Sequence, residues 1–262
     1  MDGIDSTVPH SARIWDYWLG GKDHFAADRE AGETVKGLLP DIALSARHDR
    51  AFLGRAVRHL AGDVGIRQFL DIGTGLPTAG NTHEIAQRVA PDSRVVYVDN
   101  DPLVLVHARA LLTSQTPEGV TDYVDADIRD TAAVLEAAAR TLDFSRPVAL
   151  MLLGVLNHIL DDAEALDIVH RLLDAVPPGS HLAISHTTDE IDGAAMHEST
   201  RAVNESGGTP IVARSARQVA GFFDRVELLE PGVVSCSRWR PEPAEIGTPP
   251  EVYHFCGVGV KR

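Results

Sequence analysis

Five runs rich in β-branched and aliphatic residues, "IRQFLDIG", "SRVVYVDND", "VTDYVDADI", "RPVALMLLGV" and "SHLAISHTT", recur between residues 66 and 188, with helical patterns between them. No other feature restricts the fold as much. Strands joined through helices run parallel and need cover on both faces, so the alternation predicts βαβ units in an open parallel sheet. Local punctuation agrees. Asp101 before Pro102 forms an N-cap followed by a first-turn proline, ahead of "LVLVHARALL". Asp161 and Glu164 form a capping-box-like pair before "ALDIVHRLLDAV", which Pro177 and Pro178 stop. A mostly helical stretch follows the fifth run, broken at Gly207 and Gly208. Two last runs, "RVELLEPGVVS" and "VYHFCGVGVK", are predicted to form an antiparallel pair at the end of the sheet. Helical periodicity in "ARIWDYWL" and "ALSARHDRAFLGRAVRHLA" marks residues 1–64 as a helical extension on a sheet domain spanning 65–262, the two forming one compact unit.

The first run ends in Asp71, Gly73, Thr74 and Gly75 and leads into a helical pattern. In an open parallel sheet, ligands bind at the carboxyl ends of strands beside the point where strand order reverses. Glycines there let a ligand approach the backbone, and the next helix offers unpaired N–H groups. The second run ends at Asp99, about where dinucleotide folds place an acid for a ribose diol. The third ends in Asp127, one βα unit further on. Tight turns and solvated strand ends would explain any one of these features. Three acids at three successive strand ends point to a nucleotide or nucleoside ligand.

Charge discriminates between ligands. A nicotinamide dinucleotide would set its pyrophosphate against Asp71, and its G-x-G-x-x-G pattern would need glycine where Thr78 stands. S-adenosylmethionine carries a sulfonium and an ammonium and no phosphate. At an effective dielectric near 20, two charges 4 Å apart interact by about 4 kcal/mol, enough to favour the cationic cofactor. The net charge of −14 and the lack of a Lys/Arg-rich run argue against nucleic acid as a partner. The longest apolar run, "VALMLLGVL", is half a membrane span, and Cys236 and Cys256 form no metal pattern, so no membrane partner and a cytoplasmic location are expected. The twelve histidines show no ligand spacing, and no metal is expected.

The run "DIGTG" with Asp99 in "VVYVDNDP" and Asp127 in "DADIRD" resembles the class I S-adenosylmethionine-dependent methyltransferases, although Pro77 stands at their third motif glycine. "IWDYWLGGKDHFAADREA", "FLDIGTGLPTAGNTHEIAQ" and "VVYVDNDPLVLVHARALL" together resemble an actinobacterial group of S-adenosyl methyltransferases over nearly the whole chain. The resemblance implies a Rossmann-like, doubly wound α/β fold with a seven-stranded sheet in the order 3-2-1-4-5-7-6, the last strand antiparallel. It also implies that Asp71, Gly73 and Gly75 face the methionine part of the cofactor and Asp99 the ribose. Asn100 and Ile128 would flank the adenine, Asp127 would accept from its amine, and Gly154 and Val155 would line the reaction side.

Two of the three tryptophans, Trp15 and Trp18, sit three residues apart before Gly20 and Gly21. They read equally as a helix anchored to a core and as a lid whose Tyr17, Lys22 and Asp23 touch the cofactor. Asn157 and His158, after the fourth run, are the candidates to orient or deprotonate an acceptor, and His186 is a second candidate base. "CSRWRPEPAEIGTPPE" places Trp239 between Arg238 and Arg240 and is expected to border an acceptor pocket. A methyltransferase acting on a small molecule is the leading reading. A binding regulator without turnover and a nucleotide-dependent oxidoreductase stay open, as does the oligomeric state.

Overall fold

The computed structural model describes residues 5–78, 80–111, 113–242 and 247–262. Three helices come first: α1 (Ser11–Leu19), α2 (Ala26–Leu38) and α3 (Ile42–Arg58), the last running into a π-helical turn, His59–Val64. The predicted alternation then follows as β1 (Gln68–Ile72), α4 (Thr82–Val89), β2 (Arg94–Asp99), α5 (Pro102–Leu111), β3 (Val120–Asp125), α6 (Thr131–Ala138), β4 (Ala149–Leu153), α7 (Asp162–Asp174) and β5 (His181–Thr187). Helices α8 (Gly193–Glu205) and α9 (Ala216–Gly221) lead to β6 (Glu227–Leu228), β7 (Val234–Ser235) and β8 (His254–Val260). Among the described residues no helix is long and apolar enough to cross a membrane.

The strands form one sheet in the order β3-β2-β1-β4-β5-β8-β6, with β7 also paired to β8. Strands β1 to β5 are mutually parallel, and β8 runs antiparallel to β5, β6 and β7. The run "RVELLEPGVVS" is therefore two short strands, interrupted where a turn closes from Gly232 N–H to the Leu229 carbonyl at 2.8 Å. Helix α2 has no counterpart in the sequence-based reading, because its two glycines and many charges blur the apolar stripe that Val35 carries.

Side chains alternate across the sheet with period two, so each central strand feeds both faces. Leu70, Ile72, Val96, Val98, Leu150, Leu152, Leu182 and Ile184 pack on one side against α6, α7 and α9. Phe69, Val95, Tyr97, Ala149, Met151 and Ala183 pack on the other against α3 and α4. Full burial of side chains of this size stabilises by roughly 1.5–3 kcal/mol each, which makes the sheet a firm platform for the loops at its edge. Trp239 belongs to this second core, fully buried and edge-on to Phe52 at 5.3 Å between ring centroids. The expectation that it borders an acceptor pocket is thereby corrected. Arg240 is stacked on the indole at 4.9 Å and Arg238 is paired to Glu251 at 2.7 Å, while residues 243–246 of the same loop lie outside the described residues.

Candidate functional site

Strand order reverses between β1 and β4, and the carboxyl ends of both strands open into one cavity of about 370 Å³. Its floor is built by three successive turns. Gly73 takes φ +76°, its N–H donates to the Val98 carbonyl at 2.8 Å, and a Cβ added to it would lie 2.5 Å from Val155 Cβ. Only glycine fits there. Gly75, at φ +64°, donates its N–H to Asp99 Oδ2 at 2.8 Å, while Asp99 Oδ1 accepts from the Asp101 N–H at 3.0 Å. Asp99 thus ties the turn after β1 to the turn after β2. Burial raises its pKa, against the lowering effect of those two N–H groups.

Asp71 is buried at the end of β1 and accepts from Thr82 Oγ1 at 2.6 Å. Burial pushes its carboxyl up to about 6, opposed by the Thr82 hydroxyl and by the Arg50 guanidinium. Asp127 accepts from Asn100 Nδ2 at 3.2 Å and from the Arg129 N–H at 2.8 Å. Asp71, Gly73, Thr74, Gly75, Asp99, Asn100, Asp127, Ile128, Gly154, Val155, Asn157 and His158 all line the cavity. Tyr17 and Lys22, also expected at the cofactor, are not among the lining residues. The Tyr17 hydroxyl is turned to α2, donating to Glu33 at 2.5 Å, and Lys22 is exposed outside the cavity.

The histidines separate by their partners. His158 Nδ1 lies 3.0 Å from the Pro210 carbonyl, which can only accept, so this nitrogen carries the proton and Nε2 keeps a lone pair. Burial lowers its pKa below the usual histidine range. His186 is fully engaged instead: Nδ1 donates to the Thr187 carbonyl at 2.8 Å, and Nε2 accepts from Arg214 Nη1 at 2.8 Å. With its pKa depressed to about 3 by burial and no position in the cavity lining, it is a structural residue, not a base. Asn157 is similarly committed, its Oδ1 accepting from the Thr187 N–H and its Nδ2 donating to Thr187 Oγ1, both at 3.1 Å.

The cavity also takes residues that the sequence did not single out. Arg50 and Asp49 reach it from α3, joining Trp15 and Trp18 of α1, which the sequence did single out and whose rings are edge-on at 5.8 Å. Met196, Ser199, Val203 and Ser206 reach it from α8 and its end. Their spacing of three and four marks a single helix face, a signal present in the sequence but without an address until α8 is placed. Thr78 Oγ1 is buried beside the glycine turns without a hydrogen-bond partner among the described residues, and Thr78 also lines the cavity. Five aspartates but only two arginines contribute to the lining. Glycine turns that admit a ligand to the backbone, unpartnered Thr78 and excess carboxylate together suit a cationic nucleoside.

A family model described as S-adenosyl methyltransferase matches residues 1–262. No curated protein matches the chain. The crystal structure of a DUF574 family protein from Streptomyces avermitilis is 44% identical, covering 98% of this chain and 99% of its own, with a TM-score of 0.93. A candidate methyltransferase from Thermobifida fusca is 41% identical, covering 100% of this chain and 98% of its own, with a TM-score of 0.91. Human N-acetylserotonin methyltransferase in complex with S-adenosylmethionine shares the fold at 13% identity and a TM-score of 0.51, covering 96% of this chain and 63% of its own. Floor, fold and family model agree: the chain belongs to the S-adenosyl methyltransferase family, whose cofactor is S-adenosylmethionine.

Proposed function

We propose that this chain is an active enzyme that transfers a methyl group from S-adenosylmethionine to a small organic acceptor. The observation that carries the reading is one cavity that joins the acid- and glycine-lined strand ends to an apolar chamber under α1, α2 and α8. Its volume of about 370 Å³ falls within the range of small-molecule sites. In this reading Asp71, Thr74 and the glycine turns hold the methionine part, Asp99 the ribose, and Asn100, Asp127 and Ile128 the adenine. Gly154 and Val155 flank the reacting centre. The cofactor supplies a methyl carbon already activated on a sulfonium, so what the protein must add is chiefly alignment, worth up to about 7–11 kcal/mol in well-oriented systems. Two buried cysteines, unpaired with each other, support a reducing cytoplasm as the location.

Calorimetric titration with S-adenosylmethionine, S-adenosylhomocysteine and NAD, followed by a mass-spectrometric screen of small acceptors for a gain of one methyl group, tests the proposal. Binding of the two S-adenosyl ligands without NAD, together with methylated product, is expected. Preference for NAD would overturn the proposal, and tight S-adenosyl binding with no product from any acceptor would favour a regulator without turnover.

A further inference from the structure

The acceptor end of the cavity has a chemical character of its own. Ile14, Trp15, Leu39, Ile42, Met196 and Val203 give it an apolar wall with two tryptophan rings. Flat aromatic bodies pack well against such walls, in offset or edge-on contacts. The strand-end carboxylates oppose an anionic acceptor, and the nearby cation Arg129 is already held by Asp127 at 3.3 Å and Glu164 at 3.4 Å. At the turn after β4, the group offered is the lone pair of a neutral imidazole, His158 Nε2. A lone pair can take a proton from a neutral hydroxyl, but it brings no charge to hold an ammonium.

Resting on the reading of the chain as a methyltransferase, we infer that its acceptor is an uncharged planar hydroxyl compound of the phenol class, whose proton His158 removes. His158 Nε2 takes the hydroxyl proton while the acceptor oxygen donates a lone pair to the methyl carbon. The new C–O bond forms as the C–S bond breaks, and that electron pair returns to sulfur, leaving a methyl ether, S-adenosylhomocysteine and a proton on the imidazole. Acidity selects the phenol. A phenolic hydroxyl ionises near 10, within reach of an imidazole base, whereas an ordinary alcohol is far weaker as an acid. Groups facing His158 agree with a neutral resting ring: the Pro210 carbonyl fixes its tautomer, and His10 and Arg129 bear on it with lowering effect. Asp127 and Glu164 are both paired with Arg129, at 3.3 and 3.4 Å.

Three probes with one body, 2-naphthol, 2-naphthylamine and 2-naphthoate, separate the possibilities. In the S-adenosylhomocysteine complex, 2-naphthol should bind at least tenfold more tightly than naphthoate, read by tryptophan fluorescence. With S-adenosylmethionine it should yield its methyl ether at least tenfold faster than either analogue reacts. His158→Gln should bind S-adenosylhomocysteine and 2-naphthol within about threefold of the parent protein, lose roughly 10²-fold in turnover, and lose the acid limb of kcat/KM. Ionisation of bound 2-naphthol, followed by its ultraviolet absorbance, should move to higher pH in that variant. Preference for the amine or carboxylate, or an unchanged acid limb in His158→Gln, overturns the inference. Binding of S-adenosylhomocysteine without 2-naphthol binding overturns it alone, while failure to bind S-adenosylhomocysteine overturns the parent reading with it.

Discussion

Asp99 and Asp71 show how one residue type serves two tasks at the same sheet edge. Asp99 uses one oxygen on each of two backbone N–H groups, so its loss should affect both the turns and the ligand. Charge-assisted bonds of this kind contribute roughly 1.5–3 kcal/mol. Asp99→Ala should weaken S-adenosylhomocysteine binding by at least tenfold and lower the melting temperature, whereas Asp127→Ala, at a more exposed carboxylate, should cost less in both assays. Equal losses would refute this ordering. Asp71 predicts a pH dependence, because its carboxyl ionises at about 6. The charged form attracts the cofactor's ammonium and dominates above pH 6, so affinity for S-adenosylmethionine should fall as pH drops from 7.5 to 5, by up to tenfold per unit. Calorimetry on Asp71→Asn should give a flatter profile, and parallel curves for the two proteins would remove Asp71 from the ammonium. These acids were legible in the sequence because a strand end is a local feature. Arg50, Asp49 and Thr78 were not, since only the packing of α3 over the β1 turn brings them to the same place.

At the scale of elements, the N-terminal helices join the site to the core. Arg13 is buried on α1 and pairs with fully buried Asp28 of α2 at 3.2 Å, while Trp15 and Trp18 face the cavity. Helix α1 is thus tied to α2 through Arg13 while its two tryptophans line the cavity. Removing one partner of a buried ion pair destabilises by about 3–5 kcal/mol, a cost that falls mainly on the docking of α2. Deletion of residues 1–24 should leave the cooperative unfolding of the sheet in place but weaken cofactor binding at least tenfold. Thermal unfolding and calorimetry on the truncated chain would check this. An insoluble truncation would make α1 part of the core, and undiminished affinity would end its role over the cofactor. A helix pattern fixes which residues share a face but not which neighbour that face meets. The Tyr17 hydroxyl, for instance, meets Glu33 of α2.

For the whole molecule, five parallel strands were readable because strands joined through helices run parallel, whereas their order came from the family resemblance and not from the alternation. The final strands were less so: "RVELLEPGVVS" splits in two, and Trp239 turns inward to fill the space between α3 and the sheet. A loop tryptophan between two arginines carries no sequence sign of which way it packs. Trp239→Ala should destabilise the protein by about 3–5 kcal/mol with the affinity for S-adenosylhomocysteine per folded molecule unchanged, as denaturant titration and calorimetry would reveal. Reduced affinity in the folded variant would return that loop to the site. The turns after β1 and β2 have a further consequence. The amides of Gly73, Gly75 and Asp101 are bonded within the protein, to the Val98 carbonyl and the Asp99 carboxylate. That end of the molecule is preorganised, so binding there carries little ordering entropy. Amide hydrogen exchange should accordingly change little in these turns when the cofactor binds and slow mainly in α1 and α2, which places the conformational response to ligands in the helices and leaves the sheet edge as a fixed template.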